Sequence, residues 1–204
     1  LLSHVKQTKG ALHFIGLLSD GNVHSHIDHL ISMLKEAHQD GCAKIRVHVL
    51  LDGRDVGQKT ALLYIDKLES VLAEINATGG DAQIASGGGR MITTMDRYNA
   101  DWTIVERGWK AHVLGEARQF SSAREAVETY YAEDPNSTDQ YLESFVISDN
   151  NTPIGIIQDG DSVIFTNFRG DRAIELSMAF ELENFTYFDR KRMPKVTYAG
   201  MMQY

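Results

Sequence analysis

The sequence predicts an α/β protein of three layers, α/β/α, in which helices cover both faces of a mostly parallel β-sheet. Short apolar runs, typical of buried strands, alternate with longer stretches whose apolar residues recur every three or four positions, as on one face of a helix. Most of the apolar runs end in loops that contain glycine and aspartate. Consecutive strand–helix–strand units of this kind lie side by side in one sheet with their strands parallel.

Three strands and two helices are predicted in the first half of the chain. The strands cover 12–18, 44–51 and 82–86, where apolar residues dominate. The helices predicted over 25–41 and 60–78 each have a stripe of apolar residues at helical spacing, and glycines end both of them. This strand–helix alternation is the basis for the parallel sheet.

Three further helices are predicted in the second half. Asp101 is a suitable N-cap for a helix that carries two tryptophans. Ser122, followed three positions later by Glu125, forms the sequence pattern of a capping box, and helical spacing returns over 173–182. The two capping patterns predict where the first two of these helices begin.

Strands are also predicted in the second half, over 144–147 and 195–199. The stretches 154–157 and 162–166 flank an Asp-Gly pair, which is a strong signal of a tight turn between antiparallel strands. The sequence therefore predicts a β-hairpin towards the C-terminal part of the chain.

The composition is that of a soluble globular protein, with 43% hydrophobic and 24% charged residues among 204. Its 20 Lys and Arg against 28 Asp and Glu give a net charge of −8, so we expect no binding to nucleic acid or to membrane surfaces. The single cysteine, Cys42, excludes an intramolecular disulfide, and no apolar run reaches the length of about 18 residues that suggests a membrane span. The chain opens without methionine, so we expect it to be part of a longer polypeptide.

Polar loops follow four of the predicted strands, and arginines are concentrated in them. Five of the eleven arginines lie there, namely Arg54, Arg90, Arg97, Arg169 and Arg172. Because ligands of parallel α/β sheets bind beyond the carboxyl ends of the strands, we expect these guanidinium groups to converge. They would repel one another unless an anion or carboxylates lay among them, and they match phosphate and carboxylate oxygens in pairs. The sequence therefore predicts a small ligand with several negative charges.

Carboxylates in the same loops leave more than one interpretation open. Asp55, next to Arg54, can serve as a general acid or base whose ionised form its neighbours stabilise. Alternatively, the loop aspartates only neutralise the arginines; these aspartates are Asp20, Asp55, Asp96 and Asp171. A non-catalytic anion-binding module is a further hypothesis.

A histidine cluster after the first predicted strand suggests a different chemistry. His24, His26, Asp28 and His29 follow the H-x-H-x-D-H pattern of the metallo-β-lactamase superfamily, in which such side chains hold two metal ions that activate a water. A metal-dependent hydrolase is therefore the alternative function. In the structural interpretation, His26 and His29 lie in the first turn of a helix, and His24 donates a hydrogen bond from the loop.

The four loops together resemble those of cofactor-independent, that is 2,3-bisphosphoglycerate-independent, phosphoglycerate mutase. The matching stretches are 16–26, 51–55, 89–90 with 95–98, and 167–172. Their order and approximate spacing agree along nearly the whole chain, which is far more specific than any single loop. With this resemblance, the metallo-β-lactamase pattern becomes a coincidence.

The resemblance implies an isomerase of glycolysis and gluconeogenesis that interconverts 3-phosphoglycerate and 2-phosphoglycerate through a phosphoserine. Family members have a phosphatase domain, which carries the serine and two divalent metal ions, usually manganese, and an inserted phosphotransferase domain that binds the substrate. By this resemblance the phosphotransferase domain covers 12–190, with connecting segments at 1–11 and 191–204. No stretch resembles the serine or metal-ligand motifs, so we expect this chain alone to be inactive and assign it no metal ligand.

The resemblance also implies seven substrate-binding residues, namely His24, Arg54, Asp55, Arg90, Arg97, Arg169 and Arg172. Of these, Arg54 and Asp55 are the expected catalytic residues. The arginines would hold the anion and prevent the escape of glycerate while it re-orients. Asp55 would exchange the proton of the reacting hydroxyl, with His24 as its hydrogen-bond partner. We expect a cytoplasmic monomer whose only protein partner is its own phosphatase domain.

Overall fold

Eight strands and six α-helices make up the computed structural model, which describes all residues from Leu1 to Tyr204. The strands are β1 Leu12–Leu18, β2 Lys44–Leu51, β3 Asp81–Gly89, β4 Arg118–Phe120, β5 Phe145–Asp149, β6 Thr152–Pro153, β7 Ser162–Phe165 and β8 Thr197–Gly200. The helices are α1 Leu2–Thr8, α2 Ile27–Gln39, α3 Ala61–Ala77, α4 Trp102–Trp109, α5 Ala123–Glu133 and α6 Ile174–Glu181. A π-helical turn, Lys110–Leu114, continues α4. None of the helices has the length and apolar character needed to span a bilayer.

Seven of the strands form one sheet in the order β4-β5-β3-β2-β1-β7-β8. All neighbours in this order are parallel except β3 and β5, which run antiparallel, and β6 pairs only with β5. In the centre, Leu12 of β1 lies opposite Ile45 of β2 and Ser162 of β7. The mostly parallel sheet predicted from the sequence is confirmed.

Two apolar cores lie on opposite faces of this sheet. One contains α2, α3 and α5, packed on strand side chains such as Phe14 and Val47. The other contains α4, the π-helical turn and α6, packed on strand side chains such as Ile15 and Leu50. Because successive side chains of a strand point to opposite faces, the same strands supply both cores. The predicted three-layer α/β/α architecture is confirmed.

Side chains at two helix starts accept hydrogen bonds from free backbone N–H groups, as predicted. The Asp101 carboxylate accepts from the N–H of Thr103 at 3.0 Å, and Ser122 Oγ accepts from the N–H of Glu125 at 3.1 Å. The Glu125 carboxylate, however, accepts from the N–H of Ser121 at 2.8 Å. The return bond of the capping box therefore goes to the residue before the N-cap.

The β-hairpin lies at a different place from the one predicted. Residues 154–157 do not form a strand, and β7 pairs in parallel with β1 and β8. The hairpin instead joins β5 to β6 through Asn150 and Asn151, whose φ angles of 48° and 61° suit a type I′ turn. At the predicted place, the Asp161 carboxylate accepts the backbone N–H of Ala11 at 2.7 Å. This hydrogen bond joins the Asp-Gly turn to the start of β1. The turn is followed by β7, which runs parallel to β1 and forms no hairpin with 154–157.

Both ends of the chain pack onto the sheet. α1 buries Val5 in the core that contains α2, and Thr8 Oγ1 donates to the carbonyl of Gly160 at 2.6 Å. β8 pairs with β7, so the stretch expected to connect to a second domain contributes a strand. The sequence patterns predict neither α1 nor β4, because elements of seven and three residues are too short to show a period.

Candidate functional site

The candidate site lies at the carboxyl ends of four strands that are neighbours in the sheet, β3, β2, β1 and β7. Their loops are 19–26 after β1, 52–60 after β2, 90–101 after β3 and 166–173 after β7. Because these strands are parallel, all four loops meet at one edge of the sheet. The seven residues that the family resemblance singles out lie in these loops, and the contacts below join them.

Arg90 is the buried centre of the cluster and is only 1% exposed. Its Nη1 lies 2.8 Å from Asp52 Oδ1 and 2.5 Å from Asp55 Oδ2. Its Nε has no hydrogen-bond partner in the chain. A buried guanidinium with two carboxylate partners is fixed in place, because a movement would break two charge-assisted hydrogen bonds at once.

Asp52 organises the loop after β2. Its Oδ1 accepts the backbone N–H groups of Arg54 at 3.2 Å and Asp55 at 3.0 Å, and Ser19 Oγ donates to its Oδ2 at 2.5 Å. Burial alone would raise the pKa of Asp52, but these hydrogen bonds and the charge of Arg90 outweigh burial and lower the pKa. Asp52 is therefore ionised, and it positions two of the predicted site residues although the sequence prediction omits it.

A glycine brings the loops after β1 and β2 together. A Cβ atom on Gly21 would lie 2.9 Å from Cβ of Asp55 and 3.2 Å from its carbonyl oxygen. The carbonyl oxygen is part of the backbone and Cβ is bonded directly to it, so neither atom can move without a shift of the backbone. The close approach of these loops therefore requires glycine at this position.

Asp171 joins three further members of the cluster. Its Oδ1 lies 3.0 Å from Arg169 Nε and 3.6 Å from His24 Nδ1, and its Oδ2 lies 3.9 Å from Arg97 Nη1. The sequence prediction treats Asp171 only as one of several neutralising aspartates. Its position between two of the arginines in the sequence is the signal that would have identified it.

His24 is buried and neutral. Burial and the positive charge of Arg90 together lower its pKa to about 4, because Asp171 and Asp55 oppose them only in part. Its carbonyl oxygen accepts the N–H of Phe168 at 2.7 Å, whereas its Nδ1 has no hydrogen-bond partner in the chain. A neutral imidazole with an unused nitrogen can donate or accept one hydrogen bond to a ligand.

Arg172 lies within the electrostatic reach of the other arginines. It is 5% exposed, and its Nη1 donates to the carbonyl of Met95. Burial lowers its pKa, and the charges of Arg90, Arg97 and Arg54 add to that effect, whereas Asp171 opposes it. The arginines thus converge from three loops.

The aspartates do not neutralise this charge completely. Of the four that the sequence offers, Asp20 instead accepts a hydrogen bond from Tyr64 at 2.5 Å, and Asp96 accepts the N–H of Asp101 at 2.7 Å. The aspartates in contact with the arginines are Asp52, Asp55 and Asp171. Three carboxylates thus contact the cluster of five guanidinium groups, and neither Arg54 nor Arg172 has a carboxylate within ion-pair distance. Neutralisation alone therefore does not account for the arginines.

A second carboxyl group supports the loop after β3. Glu175 is buried, and its Oε1 accepts the N–H of Asn99 at 2.9 Å. Burial and the neighbouring Asp96 carboxylate together raise the pKa of Glu175 to about 7, although the hydrogen bond from the N–H of Asn99 opposes them. The sequence gives no sign that Asp96 and Glu175 are neighbours, since Asp96 lies in the loop after β3 and Glu175 lies in α6.

The residues of the H-x-H-x-D-H pattern do not form one metal-binding group, although the rings of His26 and His29 lie 5.7 Å apart. His26 is the N-cap of α2 and accepts the N–H of Asp28 at 3.2 Å, and the ring of His29 packs against Phe168. His24 faces Asp171 instead. No three His, Cys, Asp or Glu side chains of the chain are grouped so that they could hold a metal ion. The metal-dependent hydrolase built on these residues is therefore wrong, and the helix-start interpretation of His26 is confirmed.

The site is an open surface. Arg54 is exposed, and the side chains of Arg97 and Arg169 are 41% and 48% exposed. None of the five main clefts of the chain is lined by any of the seven predicted site residues. The exposed arginines of the cluster are therefore accessible to a small anion from the solvent.

Comparison with known proteins gives consistent matches. The family model described as "BPG-independent PGAM N-terminus" matches residues 1–204. A probable 2,3-bisphosphoglycerate-independent phosphoglycerate mutase of Leptospira interrogans serogroup Icterohaemorrhagiae serovar Lai is 59% identical over 204 residues, which are 100% of this chain and 37% of the relative. The 2,3-bisphosphoglycerate-independent phosphoglycerate mutase of Trypanosoma brucei brucei is 59% identical over 194 residues, which are 95% of this chain and 35% of the relative.

A solved structure agrees in fold as well as in sequence. The crystal structure of Leishmania mexicana phosphoglycerate mutase at low cobalt concentration matches with a TM-score of 0.99 and 55% identity, over 100% of this chain and 37% of that one. The chain thus spans little more than a third of the length of these relatives. Since the family model covers every residue, this chain belongs to the 2,3-bisphosphoglycerate-independent phosphoglycerate mutase family and corresponds to its N-terminal region.

Proposed function

We propose that this chain supplies the substrate-binding surface of an enzyme that interconverts 3-phosphoglycerate and 2-phosphoglycerate. The observation that carries the proposal is the excess of guanidinium charge, five arginines against three contacting carboxylates. Phosphoglycerate has a phosphate, with a charge of about −1.5 to −2 at neutral pH, and a carboxylate. Both groups accept paired hydrogen bonds from guanidinium groups. The substrate therefore offers the charge and the acceptors that the surface lacks.

The arginines fall into two groups with different proposed tasks. Arg90 and Arg172 are buried and bound to protein oxygens, so we assign them to holding the loops in place. Arg54, Arg97 and Arg169 are exposed enough to turn towards a ligand. We assign direct contacts with phosphate and carboxylate to the exposed group. Such a division would allow the glycerate to re-orient while the anionic groups stay bound.

Asp55 is the proposed proton-exchanging group. Its carboxylate lies 2.5 Å from Arg90 and its side chain is 14% exposed, so one oxygen is anchored while the group still reaches the surface. It would donate a proton to the glycerate oxygen that is released in the first phosphoryl transfer. It would take a proton back from the hydroxyl that accepts the phosphoryl group in the second transfer, so its protonation state is restored in each turnover. His24, neutral and with a free nitrogen, would hold that hydroxyl by a hydrogen bond. Positioning and charge stabilisation dominate phosphoryl transfer, so Arg54 and Asp55 are the proposed catalytic residues.

A second domain completes the proposed enzyme. We propose that the substrate-binding domain covers 12–190 and that 1–11 and 191–204 connect it to a phosphatase domain of the same polypeptide. That domain would hold the serine nucleophile and two divalent metal ions, which we propose to be manganese; bound metal ions stabilise the charge of a transferring phosphoryl group. No step proposed for this chain passes through a metal, because its residues form no metal-binding group. We also propose a cytoplasmic monomer and no turnover by this chain alone.

Loss of Arg54 or Arg169 tests the proposed function. Replacement of either by Ala in the intact enzyme should lower kcat/KM by about 100-fold or more, because a charge-assisted contact to a desolvated anion is removed. Steady-state assays with 3-phosphoglycerate measure the effect. Arg124→Ala is the matched control, because Arg124 is an exposed arginine of α5 that binds Asp66 and Glu128.

Two outcomes would contradict this proposal in different ways. Near-normal turnover in both Arg54→Ala and Arg169→Ala would reject the substrate-binding role. An intact protein that binds 3-phosphoglycerate in calorimetry but turns none over, with divalent metal present, would favour the non-catalytic anion-binding module instead.

A further inference from the structure

A continuous chain of five hydrogen bonds crosses the interior of the protein on the sheet face covered by α4 and α6. It joins six side chains in the order Asp161, His13, His48, Ser86, His112 and Thr94. The successive distances between their polar atoms are 3.0, 2.9, 2.6, 2.7 and 2.9 Å. The three histidines are at most 1% exposed. None of the residues assigned to the arginine cluster belongs to this chain of bonds.

The carboxylate at one end fixes the direction of all the bonds. Burial would raise the pKa of Asp161, but hydrogen bonds from His13 and from backbone N–H groups lower it, so Asp161 is ionised and can only accept. Burial lowers the pKa of all three histidines, so each is neutral and has one N–H and one acceptor nitrogen. His13 must then donate through Nε2 and accept through Nδ1.

The same reasoning passes along the rest of the chain. His48 donates from Nε2 to His13 and accepts from Ser86 at Nδ1. Ser86 in turn accepts from Nδ1 of His112, whose Nε2 accepts from the hydroxyl of Thr94. Each of the four groups between the two ends is therefore both donor and acceptor, and only one arrangement of protons satisfies all five bonds.

The chain of hydrogen bonds ends at Thr94, in the loop after β3 that also carries Arg90 and Arg97. Thr94 has a φ of 71°, which is an unusual backbone conformation for a β-branched residue, and its N–H donates to the carbonyl of Ile104 at 2.8 Å. The next residue, Met95, holds Arg172 through its carbonyl oxygen, and Arg97 follows two positions later. A residue in such a strained conformation stays there only when its surroundings hold it.

We propose that this polarised chain positions Thr94, and with it the loop that holds Arg172 and carries Arg97, so that the anion-binding surface depends on Asp161 at the opposite edge of the sheet. Thr94 and the histidines are positioning residues, since none of them touches the proposed ligand surface. The consequence for catalysis rests on the proposed function, whereas the arrangement of protons does not.

The arrangement of protons is tested by ¹⁵N NMR of the histidine rings in the intact protein at neutral pH. We expect His13 and His48 to carry their proton on Nε2 and His112 to carry it on Nδ1, the less common form in solution. A proton on Nε2 of His112, or a mixture of both forms, would overturn the proposal.

Ser86→Ala tests the connection to the loop, because it cuts the chain of bonds while removing a single oxygen atom. We expect the proton of His112 to move to Nε2 and the amide signals of Met95 and Arg97 to shift. Ser177→Ala is the matched control, because Ser177 is a buried serine on the same face that bonds to Tyr198 outside the chain of bonds. Unshifted Met95 and Arg97 signals in Ser86→Ala would overturn the proposal, whatever the enzyme does.

The effect on the reaction is measured as KM. In Ser86→Ala and in Thr94→Val, KM for 3-phosphoglycerate should rise by about tenfold, the effect of about one lost buried hydrogen bond, with kcat less affected. Thr94→Ser, which keeps the donor, should have the wild-type KM.

An unchanged KM in Ser86→Ala, alongside inactive Arg54→Ala and Arg169→Ala variants, would reject the positioning role and leave the proposed function intact. Active Arg54→Ala and Arg169→Ala variants would reject the function, and the NMR signals would then decide the inference alone.

Discussion

Asp52 is buried at the end of β2, where its two oxygens accept hydrogen bonds from four donors. The donors are the hydroxyl of Ser19, the backbone N–H groups of Arg54 and Asp55, and the guanidinium of Arg90. At the scale of single residues, the cluster therefore depends on a carboxylate that does not face the ligand. Such a residue affects the site by stabilising its neighbours, so its loss should appear first as a loss of stability.

Asp52→Asn should lower the free energy of unfolding by about 1.5–3 kcal/mol, because the buried Arg90 would lose a charged hydrogen-bond acceptor while Asp55 still compensates its charge. Urea denaturation of the variant measures this change. Asp66→Asn is the control, since Asp66 forms an exposed ion pair with Arg124 and its loss should leave the stability unchanged. If the two variants had the same free energy of unfolding within experimental error, the structural role of Asp52 would be contradicted.

The sequence indicates which residues of the site are charged but not which of them support the others. The five arginines stand out because they follow strands in an acidic chain. Asp52 and Asp171 lie within the same loops, yet their several partners come from different loops and become neighbours only when the strands align. The orientation of His24 towards Asp171 likewise depends on the packing of two loops. Long-range contacts of this kind leave no local pattern.

At the scale of secondary-structure elements, α4 and the π-helical turn after it determine how the loop after β3 packs. The turn ends at Gly115, whose φ is 72°, and it directs His112 towards Ser86 and Thr94. On the same helix, a Cβ atom on Gly108 would lie 2.0 Å from Oγ1 of Thr94 and 3.0 Å from its Cα. Helix and loop can therefore approach this closely only when position 108 is glycine.

Gly108→Ala should destabilise the protein by about 1–3 kcal/mol, because the added methyl group overlaps the side chain and backbone of Thr94. Thr94→Gly removes the overlapping side-chain atoms, of which Oγ1 is nearest, and also relieves the strained φ. The double variant should therefore be more stable than the sum of the two single changes predicts, as thermal or urea unfolding of all four proteins would measure. Strictly additive effects would show that the two residues do not press on each other.

Elements with a long periodic pattern are predicted well, and short ones are not. The prediction over 12–18 matches β1, and the predicted helix over 60–78 contains α3, because each has enough residues to show its period. The Asp-Gly pair predicts a hairpin that the structure places elsewhere, since a turn signal does not say which strands pair. The antiparallel neighbours β3 and β5, and the π-helical turn, have no sequence signal of their own.

At the scale of the whole molecule, buried histidines link stability to pH. Burial lowers the pKa of four of them, which are His13, His24, His48 and His112, to about 4 for His24 and about 3 for His112. In the unfolded chain these groups bind protons below a pH of about 6.5. Between that pH and their native pKa values the unfolded state binds more protons than the native state, so stability falls as the pH falls. Glu175, whose pKa is raised to about 7, opposes this trend between its unfolded value and pH 7.

Each such histidine should contribute a slope of up to about 1.4 kcal/mol per pH unit to the free energy of unfolding as the pH falls below about 6.5. Urea denaturation at several pH values between neutral and mildly acidic conditions measures the total slope. His112→Gln should reduce that slope, whereas His29→Gln, which changes an exposed histidine, should not. A stability that stays constant over this range would show that these histidines are not buried as neutral groups.

Because β5 runs antiparallel to β3, the turn after β5 lies at the edge of the sheet opposite the arginine cluster. Changes in sequence at these two edges should therefore have different consequences. Asn150 and Asn151 form the turn between β5 and β6 at this opposite edge. Insertions at that turn would lengthen a segment remote from every guanidinium of the cluster. A fluorophore or an affinity tag attached at this turn should therefore leave the affinity for the anion unchanged.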